Sequence, residues 1–241
     1  MLPVSSASAP AIPAEAGARV TPRLRAMPSL LVGTATALVL TAVAVLLLVQ
    51  PAYVHLALDQ AGSAAILGID AGQAHELSDR TVNELLAGPG TYAFAGPGGS
   101  RFYDEAESSH LRDAGTVLWL LLRLAALGAV VIAFAIARPR PAWVWRAIGR
   151  SAAALAIGLA VVGVFFLLAF DLAFELFHRL FFPGGNWAFD PGPQRLVQLY
   201  PIAFWQLTSA VFAVLVIGLS LVTWWLASRR AQAAARAEAA G

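Results

Sequence analysis

The chain has 241 residues, 59% hydrophobic and only 12% charged, with no Cys and a mean hydropathy of +0.71. Soluble domains usually carry about 25% charged residues; here the apolar residues run in uninterrupted blocks, which excludes an ordinary water-soluble domain and reads as a membrane protein. Without Cys there is no disulfide, thiolate metal site, iron–sulfur cluster or Cys nucleophile, and a formal charge of +2, with 16 basic residues that are all Arg, is too small to point to nucleic acid.

Residues 1–28 read as a disordered tail, its first 22 residues rich in Ala, Pro and Ser. Four stretches then follow that are long enough to cross about 30 Å of hydrocarbon as helices: Ser29 to Ala52, Thr116 to Ala137, Ser151 to Leu180 and Ile202 to Ala227. A signal peptide is the rival reading of the first, but its apolar run is about twice the usual length and no small-residue cleavage site follows. Arg19, Arg23 and Arg25 precede the first span, Arg138, Arg140, Arg146 and Arg150 separate the second from the third, and Arg229, Arg230 and Arg236 follow the fourth. The positive-inside rule makes those the cytoplasmic ends. Between residues 53 and 115 three Arg stand against nine acids, which places that segment outside, so both termini lie inside. Residues 228–241 are then a cytoplasmic C-terminal tail. The expected fold is an all-α membrane protein of four transmembrane helices, N-in and C-in, with an extracytoplasmic cap at 53–115 and a second outer loop at 181–203.

Within the cap, His75 to Ala87 sets Leu77, Val82, Leu85 and Leu86 among polar residues, which predicts a short amphipathic helix. Tyr92 to Tyr103 alternates Tyr92 and Phe94 with small residues, turns through Gly96-Pro97-Gly98-Gly99 and resumes at Phe102, which predicts a β-hairpin. Asp104 to Asp113 is helix-compatible and runs into the second span.

Ionisable groups inside a span cost about 2.5 to 3.5 kcal/mol each on insertion scales, so they face a bundle interior and have a partner or a task. Asp171, Glu175 and His178 share one face at i, i+4, i+7 near the outer end of the third span, and Arg123 lies on the second. One reading pairs Arg123 with Asp171 or Glu175 as a structural tie between helices; another lets Arg123 snorkel outward; the third is functional. His55 and His75 lack acids at a suggestive spacing, apart from Asp59 at i+4 of His55, and read as surface or packing residues. His110 has Glu107 at i−3 and Asp113 at i+3, and His178 has Glu175 at i−3; the topology brings both to the outer boundary. A lone His at a helix end is commonly structural, whereas two at one depth with carboxylates on their faces suit acid–base chemistry. Ser108 and Ser109 adjoin His110 in sequence only, which gives little support to a Ser–His esterase.

Glu107-x-x-His110 and Glu175-x-x-His178 also match the spacing that di-iron bundles use on two helices, but the other two spans supply no carboxylate, so metal ranks below acid–base chemistry and no cofactor is expected. In the second outer loop Phe181, Phe182, Tyr200 and Trp205 fit an interfacial belt. Gly184-Gly185-Asn186-Trp187 and Asp190-Pro191 fold a polar loop bearing Asn186, Asp190 and Arg195 back over His178, enough for a headgroup-sized pocket.

Glu107-Ser-Ser-His110-Leu-Arg-Asp113, Phe174-Glu-Leu-Phe-His178-Arg-Leu-Phe-Phe182, Asn186-Trp187, Asp190-Pro191 and Leu199-Tyr200-Pro201 resemble the four-helix integral membrane family that includes the bacterial lipoprotein intramolecular transacylase Lit. In that family a Val often follows the Asp of the first block, where this chain has Ala114-Gly115. The resemblance implies an acyltransferase at the outer face of the cell membrane. It would move the sn-2 acyl chain of a diacylglyceryl-modified lipoprotein onto the α-amino group of that lipoprotein's N-terminal Cys. The family's essential histidines carry over to His110 and His178, and its partners are lipoproteins and membrane lipid. The mechanism it suggests uses His178, oriented by Glu175, as base and His110 with Asp113 as acid, or the reverse, with an acyl-His intermediate as a further route. A proton-coupled transporter and a non-enzymatic envelope scaffold are the competing classes. The first would continue polar residues into the inner halves of the spans, which are apolar; the second predicts harmless His110→Ala and His178→Ala.

Overall fold

The computed structural model describes residues 22–88, 90–138 and 142–240. Among these, four helices are long and apolar enough to cross a membrane: α1 (Pro22–Leu48), α5 (Glu105–Ile136), α6 (Ala142–Leu168) and α9 (Ile202–Ala240). Such helices satisfy every backbone polar group internally, which hydrocarbon demands. Their outward faces are apolar: Leu120, Leu127, Val130 and Phe134 on α5, and Ile157, Val161 and Val164 on α6, are all exposed. In lipid no hydrophobic force draws the helices together, so close packing has to do it. A Cβ added at Gly128 of α5 would stand 3.1 Å from the Cα of Ala35 on α1. Ser151 of α6 donates a 2.6 Å hydrogen bond to the Gly33 carbonyl of α1. α6 and α9 pack along much of their length, and α1 touches α5, α6 and α9.

At one end the bundle carries a cap. Pro51, which cannot continue a helix but readily starts one, opens α2 (Pro51–Ala61) after a two-residue break. Gly62 and Gly68, at φ of +71° and +68°, end α2 and α3 (Ser63–Leu67) in the left-handed conformation that favours glycine. A capping box of Asp70 and Gln73 starts α4 (Ala71–Ala87), the expected amphipathic helix, one turn longer than its apolar pattern showed. The cap has its own core, in which Val54, Leu58, Leu77, Tyr92 and Tyr103 meet Leu111 of α5 and Leu199 of α8 (Arg195–Leu199). Thr81 donates to the Leu77 carbonyl at 2.8 Å and so accepts from the Tyr103 hydroxyl, also at 2.8 Å. Ser78 and Tyr200 share a bond of 2.9 Å. Burial holds the Tyr103 phenol well above its ordinary range and pushes Tyr200 up to about 12, so both stay neutral hydrogen-bonding anchors. Each ties α4 to the chain just ahead of a spanning helix.

Several expectations need correction. The turn at 96–99 forms, with Phe102 N–H donating to Phe94 O at 3.0 Å and Gly96 N–H to Ser100 O at 2.8 Å. It nevertheless holds only one isolated antiparallel bridge, Ala95 to Arg101, and no strand appears among the described residues. The arms between the Gly-rich turn and Tyr103 are too short for a ladder. The third apolar stretch is two helices: α6 ends at Leu168, Ala169 leaves helical geometry, and α7 runs from Phe170 to Phe181. At 1.5 Å per residue α6 alone is about 40 Å long, more than the hydrocarbon thickness, so the polar-bearing remainder forms a separate amphipathic helix. The first helix begins at Pro22 rather than Ser29, and α9 continues to Ala240 through the region read as a tail. The N-terminal tail up to residue 21, with Arg19, and Arg140 between the second and third spans lie outside the described residues.

Candidate active site

The first turns of α5, the end of α7 and the loop at 182–194 converge beneath the cap. Asp104 and Glu107 form a capping box at the start of α5, with Asp104 N–H donating to Glu107 at 2.6 Å. The other oxygen of Glu107 accepts the backbone N–H of Leu196 at 2.6 Å. Glu107 is 1% exposed and occupied by two main-chain donors, so it fastens α5 to the second outer loop and does not reach His110.

His110 lies one turn further along α5, and its ring centroid is 5.9 Å from that of His178 on α7, with the planes 27° apart. Aromatic side chains box in the pair. Phe182 and Phe189 stand at 4.6 and 5.6 Å from His110, and Trp187 and Phe174 at 5.1 and 4.1 Å from His178. His178 Nδ1 is 2.7 Å from the carbonyl oxygen of Phe174. A carbonyl only accepts, so Nδ1 carries the hydrogen, and in the neutral ring the lone pair sits on Nε2. The main chain therefore sets this tautomer. Glu175, expected to do so, forms an ion pair with Arg179 instead. With Glu107 and Glu175 both engaged elsewhere, the two Glu-x-x-His segments do not assemble a shared ligand set.

Asp113 accepts a 2.7 Å hydrogen bond from the side-chain amide of Asn186, which also reaches Ser109 at 3.4 Å. His110 Nδ1 and Asn186 Oδ1 are both buried without a hydrogen-bond partner. Buried polar atoms in native proteins are nearly always paired, and the Asn186 side chain is the hydrogen-bonding neighbour that acts on the His110 ring.

The remaining expected site residues divide. Asp190 accepts the N–H of Gly192 at 2.9 Å and shapes the loop's turn. Arg195 donates to Gln198 at 2.8 Å, and Gln198 in turn donates to the Pro191 and Gly192 carbonyls at 2.8 and 2.7 Å, which fixes the loop over α8. Asp171 lies in the first turn of α7, two turns before His178. Arg123 sits 6.0 Å from the Trp119 ring, and among the described residues no ion pair joins it to Asp171 or Glu175.

Sequence reasoning passed over one constellation. His55 and His75 stack at 4.1 Å with planes 2° apart; His55 Nε2 bonds Asp79, and His75 Nε2 bonds Asp59, each at 2.8 Å. The signal was a repeated His-x-x-x-Asp, 55–59 on α2 and 75–79 on α4, whose reciprocal pairing needs the two helices side by side.

A multi-pass integral membrane protein with a small cap over an aromatic-walled histidine pair is an arrangement suited to chemistry on a lipid-borne substrate. Residues 30–205 match the family of the lipoprotein intramolecular transacylase Lit, and the chain belongs to that acyltransferase family, whose substrates are lipoproteins. It matches no curated protein by sequence. In fold it is similar to the in meso structure of the membrane integral lipoprotein intramolecular transacylase Lit from Bacillus cereus, at 16% identity and a TM-score of 0.67, over 90% of this chain and 99% of that one. Two structures of the same Bacillus cereus protein with one histidine replaced, by Arg or by Ala, align at 15% identity with TM-scores of 0.63 and 0.60. They cover 90% and 86% of this chain, and 95% and 93% of theirs.

Proposed function

We propose that this chain transfers the sn-2 acyl chain of a diacylglyceryl-modified lipoprotein to the α-amino group of that lipoprotein's N-terminal Cys. The cap and both histidines would face the extracytoplasmic side of the cell membrane. The observation that carries the reading is the pair of imidazoles 5.9 Å apart, one of them with its tautomer set by a main-chain carbonyl. His178 Nε2 removes a proton from the attacking amine as nitrogen bonds to the ester carbonyl carbon. His110, neutral at the start, takes that proton from His178 on one ring nitrogen as it delivers the proton of the other to the glyceryl oxygen and the carbon–oxygen bond breaks. One proton leaves nitrogen, one reaches oxygen, and both rings end in the charge state in which they began. Asn186, with Asp113 behind it, bounds the space beside His110. The walls of Phe174, Phe182, Trp187 and Phe189 exclude water that would otherwise hydrolyse the ester.

The test is expression in a host that makes diacyl lipoproteins, with mass spectrometry of the N-terminal lipopeptide. The expected product is a lyso form with an N-acyl group. An unchanged lipopeptide beside well-expressed protein would refute the reading. Only the neutral amine attacks, and α-amino groups titrate near about 7.7 to 8.0, so turnover should rise with pH through that range. A rate that stays level from mildly acidic to mildly alkaline pH would remove the amine step from the mechanism.

A further inference from the structure

Where the turn at 96–102, the end of α3 and the start of α8 meet, the cap holds a half-open cavity of about 110 Å³. Leu67, Ile69 and Phe102 give it apolar walls; Arg101, Arg195 and Ser100 give it polar ones. The guanidinium of Arg101 is 3.3 Å from Glu105 and 3.0 Å from the Ser108 hydroxyl, and Glu105 is shared with Arg112 at 2.7 Å, so that cluster keeps a surplus positive charge. Arg195 reaches only the neutral Gln198 and forms no ion pair among the described residues. Two Arg residues, one from the cap segment and one from the second outer loop, thus line one small cavity. Such a site suits a carboxylate on a short apolar stem, which guanidinium groups bind with paired hydrogen bonds.

Position along α5 selects the source of that carboxylate. Arg101 contacts Glu105 and Ser108 in the first turn of α5, whereas the apolar stretch begins at Thr116, on the other side of His110. A lipoprotein whose ester lies at His110 would therefore turn its polypeptide, and not its acyl chains, toward the cavity. From His110 to the start of α5 the rise is about 7 Å, two to three residues of extended chain at about 3.3 to 3.6 Å each.

We propose that Arg101 and Arg195 form a carboxylate-binding subsite for an acidic residue of the substrate polypeptide, two to three residues beyond its modified Cys, so that this cavity helps to decide which lipoproteins are processed. The proposal rests on the transacylase reading. Its test compares diacylglyceryl lipopeptides with Asp or Asn at that place, presented in phosphatidylcholine vesicles to the full chain and to Arg195→Gln, Arg101→Gln and the double variant. The wild type should show a KM about tenfold lower for the Asp peptide, the gap closing to about one in the double variant, as loss of about one charge-assisted contact predicts. Equal KM values for both peptides in the wild type, or a preference that survives the double variant, would overturn it. So would a KM that follows added phosphatidylglycerol and ignores the peptide's charge, which would assign the cavity to lipid. Fluorescence anisotropy of the labelled Asp and Asn peptides on the same proteins reads the subsite without turnover. A silent enzyme that still binds Asp about tenfold better would refute the transacylase reading and leave the cavity standing; equal binding would remove the cavity alone.

Discussion

The molecule holds two pairs of close histidines, and they differ in what their nitrogens touch. His55 and His75 stack at 4.1 Å, each with a carboxylate on Nε2 supplied by the opposite helix. His110 and His178 stand 5.9 Å apart among aromatic rings; one has a carbonyl on Nδ1, the other a buried Nδ1 beside the Asn186 side chain and no carboxylate. The first pair is a fastening between α2 and α4, the Nε2 of each ring bonded to a carboxylate of the opposite helix. The second has capacity left over. A site for proton transfer needs a nitrogen that the fold has oriented and left unused, and a carboxylate at helical spacing does not by itself mark one.

The contrast can be broken most sharply by truncation. His110→Ala and His178→Ala should each lower N-acylation by about a hundredfold or more, the scale of lost general acid–base catalysis. His55→Gln and His75→Gln should leave the lipopeptide mass pattern as in the wild type. Comparable losses from both pairs would erase the distinction. Asn186→Ala comes next, with an expected fall in kcat of about tenfold, since a hydrogen bond to a charged group contributes about 1.5 to 3 kcal/mol and Asp113 would lose the amide that holds it. Unaltered kcat with a raised KM would make Asn186 a binding group only.

Stability separates the residues again. Glu107→Gln replaces one of two accepting oxygens with a donor facing a main-chain N–H, and should cost about 1 to 3 kcal/mol, seen as a lower melting temperature in detergent. A melting curve that coincides with wild type would deny Glu107 its fastening role. The smallest effect belongs to His55→Gln: its partner Asp79 is 40% exposed, and half-exposed pairs contribute about 0.2 to 1 kcal/mol. A larger loss than that of Glu107→Gln would mean that the α2–α4 fastening, not the α5 anchor, holds the cap together.

The membrane spans were legible because lipid imposes a length and a composition that local sequence records directly; Ile202 begins the last helix where the apolar run says it should. The break at Ala169 was not legible, since Val161 to Phe170 is continuously apolar apart from Gly163 and no proline or polar residue interrupts it. One of three readings of Arg123 paired it with an acid of the third stretch, yet the helices place Trp119 beside it. Asp59 and Asp79 were visible as letters, but their histidines lie across a turn, and only the packing of α2 on α4 pairs them.

Sequence by itself determined the solvent of this protein, its four apolar crossings and the two imidazole-bearing segments, because hydropathy and helical spacing are properties of neighbouring residues. Tertiary structure alone decided which carboxylates the histidines lack, that a Phe174 carbonyl sets the His178 tautomer, and that Arg101 and Arg195 line one cavity. These are contacts between segments far apart in the chain, and a hydrogen bond is fixed by distance and angle, which no local pattern encodes.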